Sequence, residues 1–157
     1  MGQDSLEKLT DTLGVLVDLE LTISEFYKTC AEKWVDDGVF WTEIYQQEHA
    51  DNIKKMSEMI SRSPDKFMLG RHCNSVAVNT IISGIRKNID LVKANTLSQI
   101  KALCIASDIE QSALESKVDE IVKTDDLGFL EITQKIVSQT KRHKEHFDKK
   151  IAELKPG

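Results

Sequence analysis

The sequence predicts an all-α protein built as a four-helix bundle with a long crossover connection. Its 157 residues include seven glycines and two prolines, about half the usual combined share of these two residues. An all-β fold needs turn residues every eight to twelve positions, so this composition disfavours one. Long stretches instead repeat apolar residues at alternating three- and four-residue steps, which is the spacing of an amphipathic helix. The length favours a single domain over residues 1–157.

Two long helices are predicted in the first half of the chain. The first covers about residues 5–34 and ends at an Asp-Asp-Gly sequence, because glycine readily takes the conformation of a helix C-cap. The second covers about 39–61 and ends before Pro64, because proline disfavours helix at the preceding residue. On the first helix Glu20 interrupts an inward apolar stripe formed by Leu6, Leu9, Leu13, Leu16, Ile23 and Tyr27.

The second half begins with a connection of roughly thirty residues that contains a loop over residues 68–74 and a shorter helix over 76–93. The third long helix starts at Thr96 or Ser98 and continues to about residue 122. After a turn at 123–128, the fourth covers about 129–154. A long connection allows the second and third bundle helices to run parallel, as in one-crossover bundles.

Charge and cysteine content exclude several classes of function. The chain has 21 basic and 26 acidic residues, a net charge of −5, which argues against a nucleic-acid partner. No apolar run approaches the eighteen residues of a membrane span, so we expect no membrane partner. The three cysteines, Cys30, Cys73 and Cys104, are too widely spaced for a zinc knuckle. Their odd number and spacing predict reduced thiols and a cytoplasmic location.

Four polar residues lie on stripes that should face the bundle core, where charged side chains are rare. They are, in chain order, Glu20, His49, Glu110 and His143, one on each long helix. The two halves also correspond, because each places a glutamate about thirty residues before a histidine. The sequence therefore predicts a polar site at the centre of the bundle.

The residues around these positions resemble the rubrerythrin group of the ferritin-like superfamily. Leu19-Glu20-Leu21 resembles the first helix of that group, and Glu48-His49-Ala50 the second. Ile109-Glu110-Gln111-Ser112 resembles the third, and residues 136–146 the fourth. The resemblance covers most of residues 5–155. No rubredoxin-type cysteine set follows, so the likeness is to the bundle module alone.

This resemblance implies a carboxylate-bridged di-iron site and a role in peroxide or oxygen reduction, as an oxidoreductase, or in iron handling. The family pattern places one glutamate on each of two helices and Glu-x-x-His on each of the others. Carried over, Glu20, His49, Glu110 and His143 match the terminal metal ligands. The sequence does not identify an electron donor.

The two bridging positions depart from the family pattern. Gln46 stands three residues before His49, and Thr140 three before His143, where the pattern has glutamate. A second register makes His146 the terminal ligand and places His143 at the bridging position. In either register two carboxylates remain, and they offset only half of the charge of two ferrous ions.

Three states of the site are therefore open. The first is a di-iron centre, and the second is one iron, zinc or manganese ion held by the four terminal residues, with His146 as a further ligand. The third is a polar core without metal, in a structural or interaction bundle that has lost the chemistry. For that state we expect a homodimer formed through helix faces.

Overall fold

The computed structural model describes residues 3–44, 48–71, 73–116 and 118–155; within these ranges the side chains at 44, 48, 49, 113–116, 118 and 119 lie outside the description. The chain is almost entirely helical, so the all-α class is confirmed. The helices are α1 Gln3–Lys33, α2 Gly38–Ile44, α3 Glu48–Arg62, α4 Ser75–Lys93, α5 Gln99–Ser116, α6 Val118–Ile121 and α7 Leu127–Leu154; two short strands are β1 Met68–Leu69 and β2 Val122–Lys123.

The helix boundaries follow local sequence signals. The side chain of Asp126 accepts a hydrogen bond from the backbone N–H of Phe129 at 2.9 Å and so caps the first turn of α7. Asn74 caps α4 in the same way. Helix α3 ends at Arg62, two residues before Pro64, as predicted. The predicted second helix corresponds to α2 and α3, with residues 45–47 outside the described part of the chain.

A two-stranded antiparallel ribbon forms where the sequence predicts a loop and the end of the third helix. Strand β1 pairs with β2 so that Met68 lies opposite Lys123 and Leu69 opposite Val122. The backbone N–H of Gly70 then donates to the Ile121 carbonyl at 2.7 Å. A Cβ atom at position 70 would collide with the carbonyl oxygen of Glu120. Glycine at position 70 therefore permits the close approach of two backbone segments. The sequence predicts only a loop there and gives no indication of this contact.

The described core residues form two clusters that follow one another along α1. We call the first the aliphatic cluster; its buried members are Leu9, Leu13, Leu16, Ile53, Met56, Ile60, Phe67, Val78, Ile82, Ile121, Val122, Phe129 and Ile136. We call the second the aromatic cluster; its buried members are Ile23, Phe26, Tyr27, Cys30, Trp41, Ile85, Ile89, Val92, Ala102, Leu103, Ala106, Ile109 and Phe147.

The order of the buried residues within these clusters gives the helix directions. Helices α1, α4 and α7 run from the aliphatic to the aromatic cluster. Helix α5 packs in the aromatic cluster, and the chain after it enters the aliphatic cluster at Ile121 and Val122, so α5 runs the opposite way. Helix α3 also runs opposite to α1, because α2 joins it to the aromatic end of α1 and it finishes near Phe67. Helices α3 and α5 thus run in the same direction. Among the described helices, none is both long and apolar enough to cross a lipid bilayer.

Helix α4 contributes more to the core than its predicted role as part of a connection implies. It has 19 residues, and its buried side chains, spaced at helical intervals, enter both clusters: Val78, Ile82, Ile85, Ile89 and Val92. It packs along α1 over much of its length. Burying five branched aliphatic side chains makes α4 a structural helix of the core.

Candidate functional site

Helices α5 and α7 bring two predicted ligands together in the core. The imidazole Nδ1 of His143 lies 3.7 Å from carboxylate Oε1 of Glu110, and each residue is only 5 % exposed. The two helices pack closely because α5 presents Ala102, Leu103 and Ala106 on the stripe that continues to Glu110. A carboxylate and an imidazole are therefore paired inside the protein, away from water.

Tyr27 of α1 is a third member of this site. Its phenol O–H donates a hydrogen bond of 2.6 Å to the same Glu110 oxygen. Burial raises the pKa of Tyr27 well above its ordinary value, and the negative charge of Glu110 and the hydrogen bond to it raise it further. Tyr27 is therefore a neutral phenol and a hydrogen-bond donor at physiological pH.

Sequence reasoning treated Tyr27 as one more apolar position on the α1 stripe. The signal that could have identified it is chemical, because a buried tyrosine hydroxyl normally has a hydrogen-bond partner. Tyr27 follows Glu20 by two helical turns on the inward side of α1. A tyrosine at that position points to an acceptor on a facing helix, and Glu110 is that acceptor.

Glu20, the predicted ligand on α1, is half-buried. Its charge contributes to the raised pKa of Tyr27, after burial and the two effects of Glu110. This electrostatic coupling means that Glu20 acts on the same region as Tyr27 and Glu110. Among the described residues, the carboxylates of Glu20 and Glu110 thus both act electrostatically on the buried phenol of Tyr27.

Two further histidines, His146 and His49, are predicted as ligands, and the structure describes the side chain of His146. His146 is exposed on α7, so the register that makes His146 the terminal ligand is not favoured, and His143 is the histidine that faces the core. His49 belongs to α3, but its side chain lies outside the described part of the chain, as does Gln46.

Thr140 occupies one of the two bridging positions and is buried. Its hydroxyl donates to the carbonyl of Ile136 at 2.8 Å, which satisfies it within α7. A hydroxyl bonded to its own helix carries no charge that could replace a bridging carboxylate. This position therefore adds no anionic ligand to the site.

Aromatic rings form one wall of the site. The ring of Tyr27 lies 5.2 Å from that of Phe147 and 6.3 Å from that of Trp41, centroid to centroid. Cys30 is fully buried beside them, and burial raises its thiol pKa to about 12. It remains a neutral thiol at physiological pH, a weak ligand compared with a thiolate. Such surroundings strengthen the electrostatic interactions of Glu110 and His143.

In the described part of the chain, no three side chains among histidine, cysteine, aspartate and glutamate come together as a group that could hold a metal ion. The assembled unit is the Glu110–His143 pair with its phenol donor, and Glu20 nearby. Chemically it offers a buried carboxyl group, a buried imidazole and a hydrogen-bond donor.

Comparisons with protein-family models, with curated proteins and with solved structures found no match to this chain.

Proposed function

We propose that this protein holds one divalent cation of the iron type in the core of a ferritin-like, rubrerythrin-like bundle. The observation that carries the proposal is the buried pair of Glu110 and His143, whose facing atoms are 3.7 Å apart. The two residues come from different helices, and their side chains approach each other within a dry environment. A carboxylate and an imidazole placed in this way are two ligands of a type that Fe(II), Zn(II) and Mn(II) accept.

Charge balance supports one ion rather than two. Glu110 supplies one negative charge within the pair, and Glu20 supplies a second one nearby, although it does not group with the pair among the described side chains. Together the two charges offset one divalent cation in a low-dielectric core. Two divalent cations bring a charge of +4, and Thr140 adds no carboxylate to offset the excess. The imidazoles of His143 and His49 complete the proposed set. Once bound, the ion supplies Lewis acidity and a fixed positive charge.

Tyr27 is the positioning residue of the proposed site. Its O–H holds one oxygen of Glu110 at 2.6 Å. A hydrogen bond to a metal-ligating carboxylate fixes its orientation and tunes its basicity. This role also accounts for the presence of a polar hydroxyl in the aromatic cluster.

A second candidate is a helical protein that keeps the polar core without a metal. The observation that favours it is the hydrogen bond from Tyr27, which already satisfies one Glu110 oxygen. Together with His143, this forms a network that needs no ion. In that case the protein acts through a binding partner.

Metal content separates the two candidates. The folded protein is loaded anaerobically with Fe(II), Mn(II) or Zn(II), desalted, and its metal-to-protein ratio is measured by mass spectrometry. We expect one ion per chain, and loss of that ion in Glu110→Gln and His143→Gln. The control is His146→Gln, because it removes an exposed imidazole from the same helix. No bound ion in the folded protein supports the metal-free candidate, and two ions contradict the charge argument.

Restoring both bridging carboxylates tests the placement of the site. The double variant Gln46→Glu, Thr140→Glu adds two negative charges at positions where the family pattern has them. We expect the ratio to rise from one ion to two, because the added charge offsets a second cation. An unchanged ratio in a folded double variant would place the ion elsewhere.

A further inference from the structure

We propose that the outer face of α1 and α3 is the interface through which two copies of this chain associate. The occupant of this face is a second copy, with α3 of each protomer lying over α1 of the other. This proposal is independent of the metal site, which lies on the opposite, inward side of α1.

The face contains a surface groove between the two helices. On α1 it is lined by Leu13, Gly14 and Val17, and on α3 by the small residues Ser57 and Ser61. Gly14 is exposed, and a Cβ atom built there would meet nothing within 4 Å. The groove therefore has a partly apolar floor and allows another helix to approach the backbone closely.

Charged residues border this groove in a pattern that complements itself. On α3, Lys54 and Arg62 are exposed and line the groove. On α1, Asp11 and Asp18 do not line the groove, but both are exposed and directly follow the groove-lining residues Thr10 and Val17. Eight residues separate the two basic groups and seven the two acidic groups, which corresponds to about 12 Å and about 10.5 Å along a helix. The two spacings differ by about 1.5 Å, which is the rise of one residue in an α-helix.

A two-fold axis parallel to the helices brings these charges together. Because α1 and α3 are antiparallel, Arg62 lies at the Thr10 end of the groove and Lys54 at the Val17 end. Rotation about such an axis keeps every residue at its own height, so Lys54 of one protomer meets Asp18 of the other. Arg62 meets Asp11 by the same operation, and each contact occurs twice in an isologous dimer.

Glu58, the third charged residue that lines the groove, is also compatible with this arrangement. Glu58 lies midway between Lys54 and Arg62, at the height of Gly14, where α1 carries no charge. The helices that come into contact, α1 of one copy and α3 of the other, are antiparallel, which also pairs opposite ends of their dipoles. Charge complementarity of this kind selects a second copy over a partner of arbitrary sequence.

Charge reversal and charge exchange test the interface. Sedimentation equilibrium of the full chain measures the dimer dissociation constant of the wild-type protein, Asp18→Lys, Lys54→Asp and the double variant that carries both changes. Both changed positions, 18 and 54, carry exposed side chains, and circular dichroism verifies folding. The control is Asp90→Lys on α4, which alters the net charge by the same amount outside the groove.

We expect the wild-type protein to dimerise and each single reversal to weaken the dimer about ten-fold or more, because two like-charge contacts form per dimer. The double variant should recover the wild-type constant, and Asp90→Lys should not change it. A wild-type protein that stays monomeric throughout the micromolar range would overturn the proposal, and leave the groove to a different partner. A dimer that is insensitive to both single reversals would also overturn it.

Discussion

The aliphatic and aromatic clusters occupy successive parts of the same core, but they are built from different side chains. The aliphatic cluster consists of leucine, isoleucine, valine and methionine with two phenylalanine rings, and the β-ribbon lies at its end. The aromatic cluster contains Tyr27, Trp41 and Cys30, and the buried pair Glu110–His143 is bonded to it through Tyr27. Among the described members of the two clusters, polar side chains positioned by hydrogen bonds therefore belong to the aromatic cluster.

Because of this difference, the two clusters along α1 should affect different properties of the protein, namely the free energy of unfolding and the behaviour of the buried polar residues. Apolar burial is non-directional, so the aliphatic cluster stabilises the fold through buried area and close packing. In the aromatic cluster a buried polar group must find a partner, and the partners fix where the side chains lie. A substitution in the first region should change the free energy of unfolding alone. One in the second should also change binding or pH dependence.

The largest expected effect comes from the aliphatic cluster. Leu9 is fully buried, and Leu9→Ala should lower the free energy of unfolding by about 2–5 kcal/mol, because it removes apolar contacts and leaves a cavity. Urea denaturation followed by circular dichroism measures the change. The metal-to-protein ratio of the folded variant should stay at the wild-type value. A folded Leu9→Ala protein that binds less metal would contradict the expectation that the aliphatic cluster affects stability but not binding.

The pH dependence of stability should report the thiol of Cys30 in the aromatic cluster. Burial raises its pKa from 9.0 to about 12, so above pH 9 the unfolded chain loses this proton while the folded protein keeps it. Stability is complete below pH 9 and falls as the pH rises towards 12, by at most about 1.4 kcal/mol per pH unit from this group. Unfolding measured between pH 8 and pH 11 should show a smaller slope for Cys30→Ala, and equal slopes would contradict the prediction.

The Tyr27 hydrogen bond should matter for both stability and binding. Tyr27→Phe keeps the ring but removes the donor to Glu110, and leaving that buried carboxylate without its donor should cost about 1–3 kcal/mol of unfolding free energy. A double-mutant cycle with Glu110→Gln measures the coupling between the two side chains. Metal affinity should fall as well, because Glu110 loses the group that orients it. A coupling energy near zero would mean that the 2.6 Å contact does not stabilise the protein.

The smallest effect lies on the solvent side of α4, which packs on both clusters. Gly84 is exposed within this helix, and a Cβ atom there would meet nothing within 4 Å. Gly84→Ala should raise the free energy of unfolding by about 1 kcal/mol, because alanine loses less backbone entropy in a helix. Thermal unfolding measures the gain. The metal ratio and the alkaline slope should not change, and a shift in either would show that α4 influences the site.

The sequence predicted the parts of this fold that depend on local periodicity. The inward stripes predict that Glu110 and His143 face the core, because helical spacing assigns a residue to a helix face without any knowledge of its contacts. The caps at Asp126 and Asn74 and the end of α3 near Pro64 also follow from neighbouring residues. The proposed metal and the family resemblance stay predictions.

Other features depend on contacts between distant residues. The ribbon requires Gly70 to approach Glu120, and a two-residue strand leaves no periodic signal. The hydrogen bond between Tyr27 and Glu110 joins residues 83 positions apart, so the tyrosine was indistinguishable from an apolar stripe residue. His146 follows His143 by three residues, so the sequence left a second ligand register open, and the exposure of His146 in the structure disfavours that register.

The β-ribbon also has a consequence for the order of folding. Its pairing of Met68 with Lys123 and of Leu69 with Val122 joins segments more than fifty residues apart, whereas α5 ends at Ser116 and α7 begins soon afterwards at Leu127. Closing so long a loop loses more chain entropy than forming a helical hairpin, and the ribbon's own few hydrogen bonds offset little of that loss. We therefore expect the ribbon to form late in folding, after the helices have brought its strands together, and to open early when the protein unfolds.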